Sequence, residues 1–162
     1  MTGKVAALLS AAAVGIGALA SAPSAMAVSC WGHWCSGQDP MATGCGADAR
    51  TIAYRDDIVG ARLELRWSPT CKAGWARWHQ YPRGWNMGTV PYVIRTVQDT
   101  GYTQTLDLGV GGVDDNETVW SPMVYSPKHG IKAEALVSCG DMTLFSTAMD
   151  CAMNGKISTD MK

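Results

Sequence analysis

Tryptophan and cysteine, rather than histidine, serine or paired carboxylates, carry the chemistry this sequence has to offer. The chain holds seven tryptophans against one phenylalanine. Trp31, Trp34, Trp75, Trp78 and Trp85 fall in segments bounded by cysteine or glycine, beside His33, His79, Tyr81 and Arg83. An exposed indole stacks on a sugar ring while neighbouring polar groups fix its orientation. These five indoles and Tyr81 are therefore candidates for a ligand-binding surface, with Lys72, Arg77 and Arg83 supplying polar or ionic contacts. The opposing reading is that a small domain buries tryptophan because each ring covers much area. Trp31 and Trp85 are the two most expected to face solvent. Trp67 and Trp120 lie on strand faces that read as buried and are assigned to the core.

Catalysis has little support. There is no Gly-x-Ser-x-Gly, no His-Glu-x-x-His and no glycine-rich phosphate loop. His33, His79 and His129 are isolated, and Asp56-Asp57 are adjacent rather than facing, as a glycosidase pair would be. Asp114-Asp115-Asn116-Glu117 lacks the spacing of a Ca²⁺ loop and reads as an exposed acidic turn. Asp39 and Asp48, around Gly44-Cys45-Gly46, read as turn-forming residues. No cofactor and no metal are expected.

All six cysteines, Cys30, Cys35, Cys45, Cys71, Cys139 and Cys151, follow a leader-like start. That start has one lysine (Lys4), an apolar run from Val5 to Ala20 and a small-x-small end at Ala25-Met26-Ala27. It reads as a secretory signal peptide over residues 1–27, and no other stretch is apolar enough to span a bilayer. An even number of cysteines in an exported chain reads as disulfides. Pairing of neighbours gives Cys30–Cys35, Cys45–Cys71 and Cys139–Cys151. A zinc site is the competing use, disfavoured by the lack of any Cys-x-x-Cys and by an oxidising compartment.

The elements that must position these residues are strands. Arg62, Glu64 and Arg66 alternate with Leu63, Leu65 and Trp67, a period of two with one wet and one buried face. Ser68-Pro69 ends that strand, Cys71 sits in the connection, and Gly74 to Trp78 restarts an extended run. Asp48 to Arg55 is β-like, with Asp56-Asp57 as its turn. Val90 to Val97 and Tyr102 to Leu108 form a hairpin around Asp99-Thr100-Gly101. Glu117 to Tyr125 is a short strand broken at Pro122, and Ile131 to Cys139 alternates again. Residues 28–50 are turn-rich, so their order must come from the cysteines. The expected architecture is all-β, a small disulfide-stabilised antiparallel sandwich or barrel of about seven or eight strands over residues 28–151. Residues 152–162 read as a loose tail.

The formal net charge is −1, which excludes a general nucleic-acid binder. Arg50, Arg55, Arg62, Arg66, Lys72, Arg77, Arg83 and Arg95 nevertheless crowd one segment, while acidic residues dominate after residue 96. The two halves either pair across the fold or offer a basic face to an anionic partner.

Leu65-Arg66-Trp67-Ser68-Pro69-Thr70-Cys71 with Trp75-Ala76-Arg77, and Asp39-Pro40-Met41-Ala42-Thr43-Gly44-Cys45-Gly46-Ala47-Asp48-Ala49 upstream, resembles a family of secreted actinobacterial domains of unknown function. Ser121-Pro122-Met123-Val124-Tyr125 and Cys139-Gly140 are similar to its carboxyl-terminal part. The resemblance brings no catalytic residues. It implies an extracellular domain, in some relatives behind a transmembrane segment and a cytoplasmic helix-turn-helix domain, and so binding more than turnover. The expectation is a secreted, non-catalytic binding module for cell-envelope glycan or an extracellular protein. The alternatives are a secreted inhibitor or assembly subunit docking into a partner, and a small extracellular hydrolase. No pattern sets an oligomeric state.

Overall fold

The structure is a computed structural model that describes residues 27–58, 60–82, 89–109, 112–139 and 155–162. Among them there is no α-helix, and none is long and apolar enough to cross a membrane. Two antiparallel sheets account for the body. Sheet A runs β1 (Arg50–Ile58), β2 (Ala61–Ser68), β3 (Ala73–Gln80) and β6 (Thr118–Trp120), with β7 (Val124–Tyr125) on the far end of β3. Sheet B runs β5 (Thr103–Asp107), β4 (Thr89–Gln98), β8 (Ile131–Cys139) and β9 (Gly155–Ser158).

The expected all-β sandwich is therefore the fold. Leu63 and Leu65 of β2 and Ala76 and Trp78 of β3 face Ile94, Ile131, Ala133, Ala135 and Val137 of sheet B, all within one buried cluster. Alternation put the leucines inside because the pleat sends successive side chains to opposite faces. Gly74 is needed on the same inner face. A Cβ there would lie 2.3 Å from Ile131 Cδ1 and 2.8 Å from the Arg66 carbonyl oxygen.

Pro122 stops the β6 segment from continuing along β3, as proline cannot donate to a ladder. The amide of Ala76 donates to Thr96 Oγ1 of sheet B at 2.7 Å and to Ser121 Oγ, just past β6, at 3.1 Å. Both hydroxyl residues are fully buried. Trp78 keeps its indole N–H satisfied in the core by donating to Gln80 Oε1 at 3.0 Å, and Gln80 Nε2 donates to the Gly60 carbonyl at 2.9 Å.

Two expectations are corrected, and a bulge adds a departure from simple alternation. Asp56-Asp57 do not turn the chain but lie inside β1, and the reversal comes at Gly60 with φ +75°. A bulge between Thr51 and Ala53 places Tyr54 on the outer face, 53% exposed, with the Arg62 guanidinium 4.2 Å from its ring centre. Within the segment read as a loose tail, Gly155–Ser158 forms a strand, β9. β9 pairs with β8 from Glu134–Ser158 to Val137–Gly155, and the Ile131 and Lys162 backbones bond reciprocally at 2.8 and 2.9 Å. Four residues are too few for a periodic signal, and it is the open edge of β8 that orders them.

The polar faces are not simply wet. Glu64 on sheet A and Glu134 on sheet B are both buried, each under a group of cations. Glu64 meets Arg62 at 3.0 Å and Arg77, and Glu134 meets Arg95 at 2.7 Å, Lys132 at 2.8 Å and Lys156 at 3.5 Å. Arg95 and Glu134 come from the basic and acidic segments, so part of the charge asymmetry closes within sheet B. Burial alone would raise the Glu134 pKa, but bonds from Lys132 and Arg95 outweigh it and hold it below the ordinary value.

A folded pKa below the unfolded one stabilises the fold above about pH 4.3 and is lost as pH falls through the folded value. Glu134→Gln should cost about 1–3 kcal/mol at neutral pH and flatten the acid limb of the stability profile, read by urea unfolding from pH 7 to 3. Gly74→Val should destabilise by at least about 1–3 kcal/mol in the same assay.

Candidate functional site

Two cysteine loops fold over the outer face of sheet A. Cys30 and Cys35 flank a 3₁₀ turn at Gly32–Cys35 and are joined to each other. Cys45 opens a second turn at Cys45–Asp48 and is joined to Cys71 in the β2–β3 connection. These are two of the three expected pairings. Cys151 lies outside the described residues, as does the side chain of Cys139.

The strap formed by residues 28–49 has little regular structure, so side chains and crosslinks hold it. Asp39 Oδ1 accepts from the amides of Met41 and Ala42 at 2.6 and 2.9 Å, and its Oδ2 accepts from Trp120 Nε1 at 3.1 Å. Asp48 accepts from Ser68 Oγ at 2.5 Å and from the Thr70 amide at 2.9 Å, tying the strap to the β2–β3 turn. Both aspartates serve as turn residues, as expected. In each case burial raises the pKa but these hydrogen bonds together outweigh it, leaving it below the ordinary carboxylate value. The amides of Gly37 and Met123 bond to the Met123 and Gln38 carbonyls at 2.9 and 3.0 Å, completing the seam with the β6–β7 connection.

Under the strap is a second core of Cys30, Cys35, Cys45, Cys71, Ala73, Trp75 and Met123. This overturns part of the expected ligand surface. Trp75 and Trp78 are both 0% exposed. Their spacing of three puts them on opposite faces of β3, Trp78 toward sheet B and Trp75 beneath the strap. Arg77, also expected to contact ligand, is turned onto Glu64, donating through Nε at 2.8 Å. Trp67 and Trp120, assigned to the core, are half-buried, Trp67 against the main core and Trp120 against the strap. Arg83 and Trp85 lie outside the described residues.

Trp31 and Trp34 stand out, 77% and 72% exposed on a disulfide-closed loop. The His33 and Trp34 ring centres are 4.9 Å apart. Gly32 takes φ +58°, a left-handed value that costs glycine little. A cleft of about 370 Å³ lies beside the indoles, lined by Ser29, Cys30, Trp31, Trp34, Gln38 and Thr43. It combines aromatic faces with hydroxyl and amide groups. Tyr81 is 38% exposed but stands beyond the other end of β3, about 20 Å along the strand from Trp75. Its ring meets His79 edge-on at 4.9 Å. The aromatic set is thus divided rather than gathered on one patch.

A second cleft went unread in the sequence. Arg50, Ile52, Trp67, Ser126, Lys128, His129 and Lys162 are among its lining residues, around about 490 Å³. It joins β1, β2, the β7–β8 turn and the carboxyl terminus, so no local pattern could have marked it.

A two-sheet β-sandwich with a disulfide-braced amino-terminal strap is the class of domain this geometry defines. Residues 33–135 match the family described as "Protein of unknown function (DUF2690)", and the chain belongs to that family. No curated protein and no solved structure matches the chain.

Removing the Cys45–Cys71 link, which spans a separation of 26 residues, by Cys45→Ala with Cys71→Ala should cost about 3–4 kcal/mol. Trp75 fluorescence should move to the red as the strap lifts, read beside the unfolding curve.

Proposed function

We propose that this domain is an exported, non-catalytic binding module whose strap presents Trp31 and Trp34 to cell-envelope glycan. The observation that carries the reading is the pair of exposed indoles on a crosslinked loop beside a polar-lined cleft. Large apolar rings held in water by a rigid loop lose little conformational freedom on binding, and their faces match the C–H faces of sugars. Gln38, Thr43 and Ser29 supply the donors and acceptors that set orientation.

Export is supported by the leader-like residues 1–27 and by two disulfides in the body. The motifs around Cys45 and Cys71 support an actinobacterial extracellular setting. Arg77 has no part in the contact, since Glu64 holds it.

Trp31→Ala and Trp34→Ala should each reduce retention on insoluble cell-wall polysaccharide by about tenfold or more, while the melting temperature stays within about 2 °C of the parent. Unchanged retention would sink the proposal. Capture of a stoichiometric extracellular protein through the same indoles would favour the inhibitor or assembly reading, and release of soluble sugar from the wall would make the domain a hydrolase.

A further inference from the structure

The four strap cysteines are closer together than two independent crosslinks require. The Sγ atoms of Cys30, Cys35, Cys45 and Cys71 all lie within 4.8 Å of one another. Cys30 Sγ and Cys45 Sγ, which belong to different disulfides, are 3.5 Å apart. All four residues are buried, at most 7% exposed. They arrive from three places in the chain: the two ends of the first 3₁₀ turn, the start of the second, and the β2–β3 connection.

We infer that this cluster is a two-state centre, a pair of disulfides when oxidised and a tetrathiolate site for a zinc-class divalent ion when reduced. The geometric requirement is modest. Tetrahedral thiolate ligands about 2.3 Å from a zinc ion stand about 3.8 Å from each other, within the spread of separations already present. Bonded sulfurs must part and the more distant ones close slightly, which side-chain rotation supplies. Trp75, packed in the same cluster, has an indole N–H without a partner among the described residues. A buried tetrathiolate bears a net negative charge, and an unused N–H donor in its surroundings suits the reduced, metal-bound state better than the neutral disulfides.

In the sequence, zinc is disfavoured by the absence of any Cys-x-x-Cys pair and by an oxidising compartment. The fold removes the first objection, because the four cysteines converge without it, and the second confines the metal-bound state to reducing conditions. The chemistry balances simply. Each disulfide takes two electrons from a phosphine and two protons from solvent to become two thiols, while the phosphine becomes its oxide with oxygen from water. Each of the four thiols then releases its proton as its sulfur joins the metal, so binding weakens as pH falls. In either state the strap stays crosslinked over Trp75. The inference is independent of the glycan reading, since its readout is metal and thiol chemistry.

The test is anaerobic reduction of the full chain with a phosphine, then titration with Co²⁺ followed by Zn²⁺. One cobalt ion per chain is expected, with the sulfur-to-metal charge-transfer and visible bands of a tetrahedral tetrathiolate, and zinc should displace it. Alkylation followed by mass mapping should find Cys30, Cys35, Cys45 and Cys71 protected while Cys139 and Cys151 react. The same spectrum should survive Cys139→Ser with Cys151→Ser and be lost in Cys45→Ser. Weak octahedral cobalt bands, protection of other cysteines, or a Cys45→Ser spectrum matching the parent would overturn the inference. So would a reduced chain that remains unfolded in the presence of the metal.

Discussion

Sheet A carries apolar side chains on both of its faces, and the rest of the molecule is arranged to cover them. Leu63, Leu65 and Trp78 point to sheet B, which answers with Ile94, Ile131, Ala135 and Val137. Trp75 and Ala73 point the other way, where no sheet is available. The strap fills that place. A segment with so few ladder hydrogen bonds cannot offset its ordering entropy by backbone pairing alone. Crosslinks that restrict the unfolded chain, aspartate-anchored turns and the burial of an indole together make it a stable layer. Loss of the strap would expose one of the largest buried side chains in the domain.

That arrangement also explains where a binding surface can form. Indoles that contribute to stability, Trp75 and Trp78, are shielded on the two sides of β3, whereas Trp31 and Trp34 project from the strap's outer side. The strap therefore has an inner surface that holds the fold and an outer surface that is available for contact. Substitutions on one side should leave the other nearly untouched, because no buried polar network joins Trp31 or Trp34 to the core among the described residues.

Charge follows the same logic. Glu64 and Glu134 occupy outward positions of their strands, yet each is covered by the long side chains around it. Arginine and lysine stems lie over the carboxylate while their charged ends pair with it, so a position that alternation assigns to water becomes a closed polar cluster. The basic segment thereby loses several of the cations that a purely anionic partner would need, and the case for aromatic contact gains by comparison.

Strand alternation from Arg62 to Trp67, the hairpin around Gly101, the run from Ile131 and the neighbour pairing of Cys30 with Cys35 and Cys45 with Cys71 were all legible in the sequence. Each depends on short-range rules: the pleat, turn chemistry and loop closure. What only the tertiary structure decided is which outward-facing residues stay outward. A period of two names a face but not what lies above it, so Trp75 could not be separated from Trp31 before the strap was placed over β3. The convergence of four sulfurs, the burial of Glu64 and Glu134 and the pairing of β9 share that cause, since each depends on segments distant in sequence meeting at one surface.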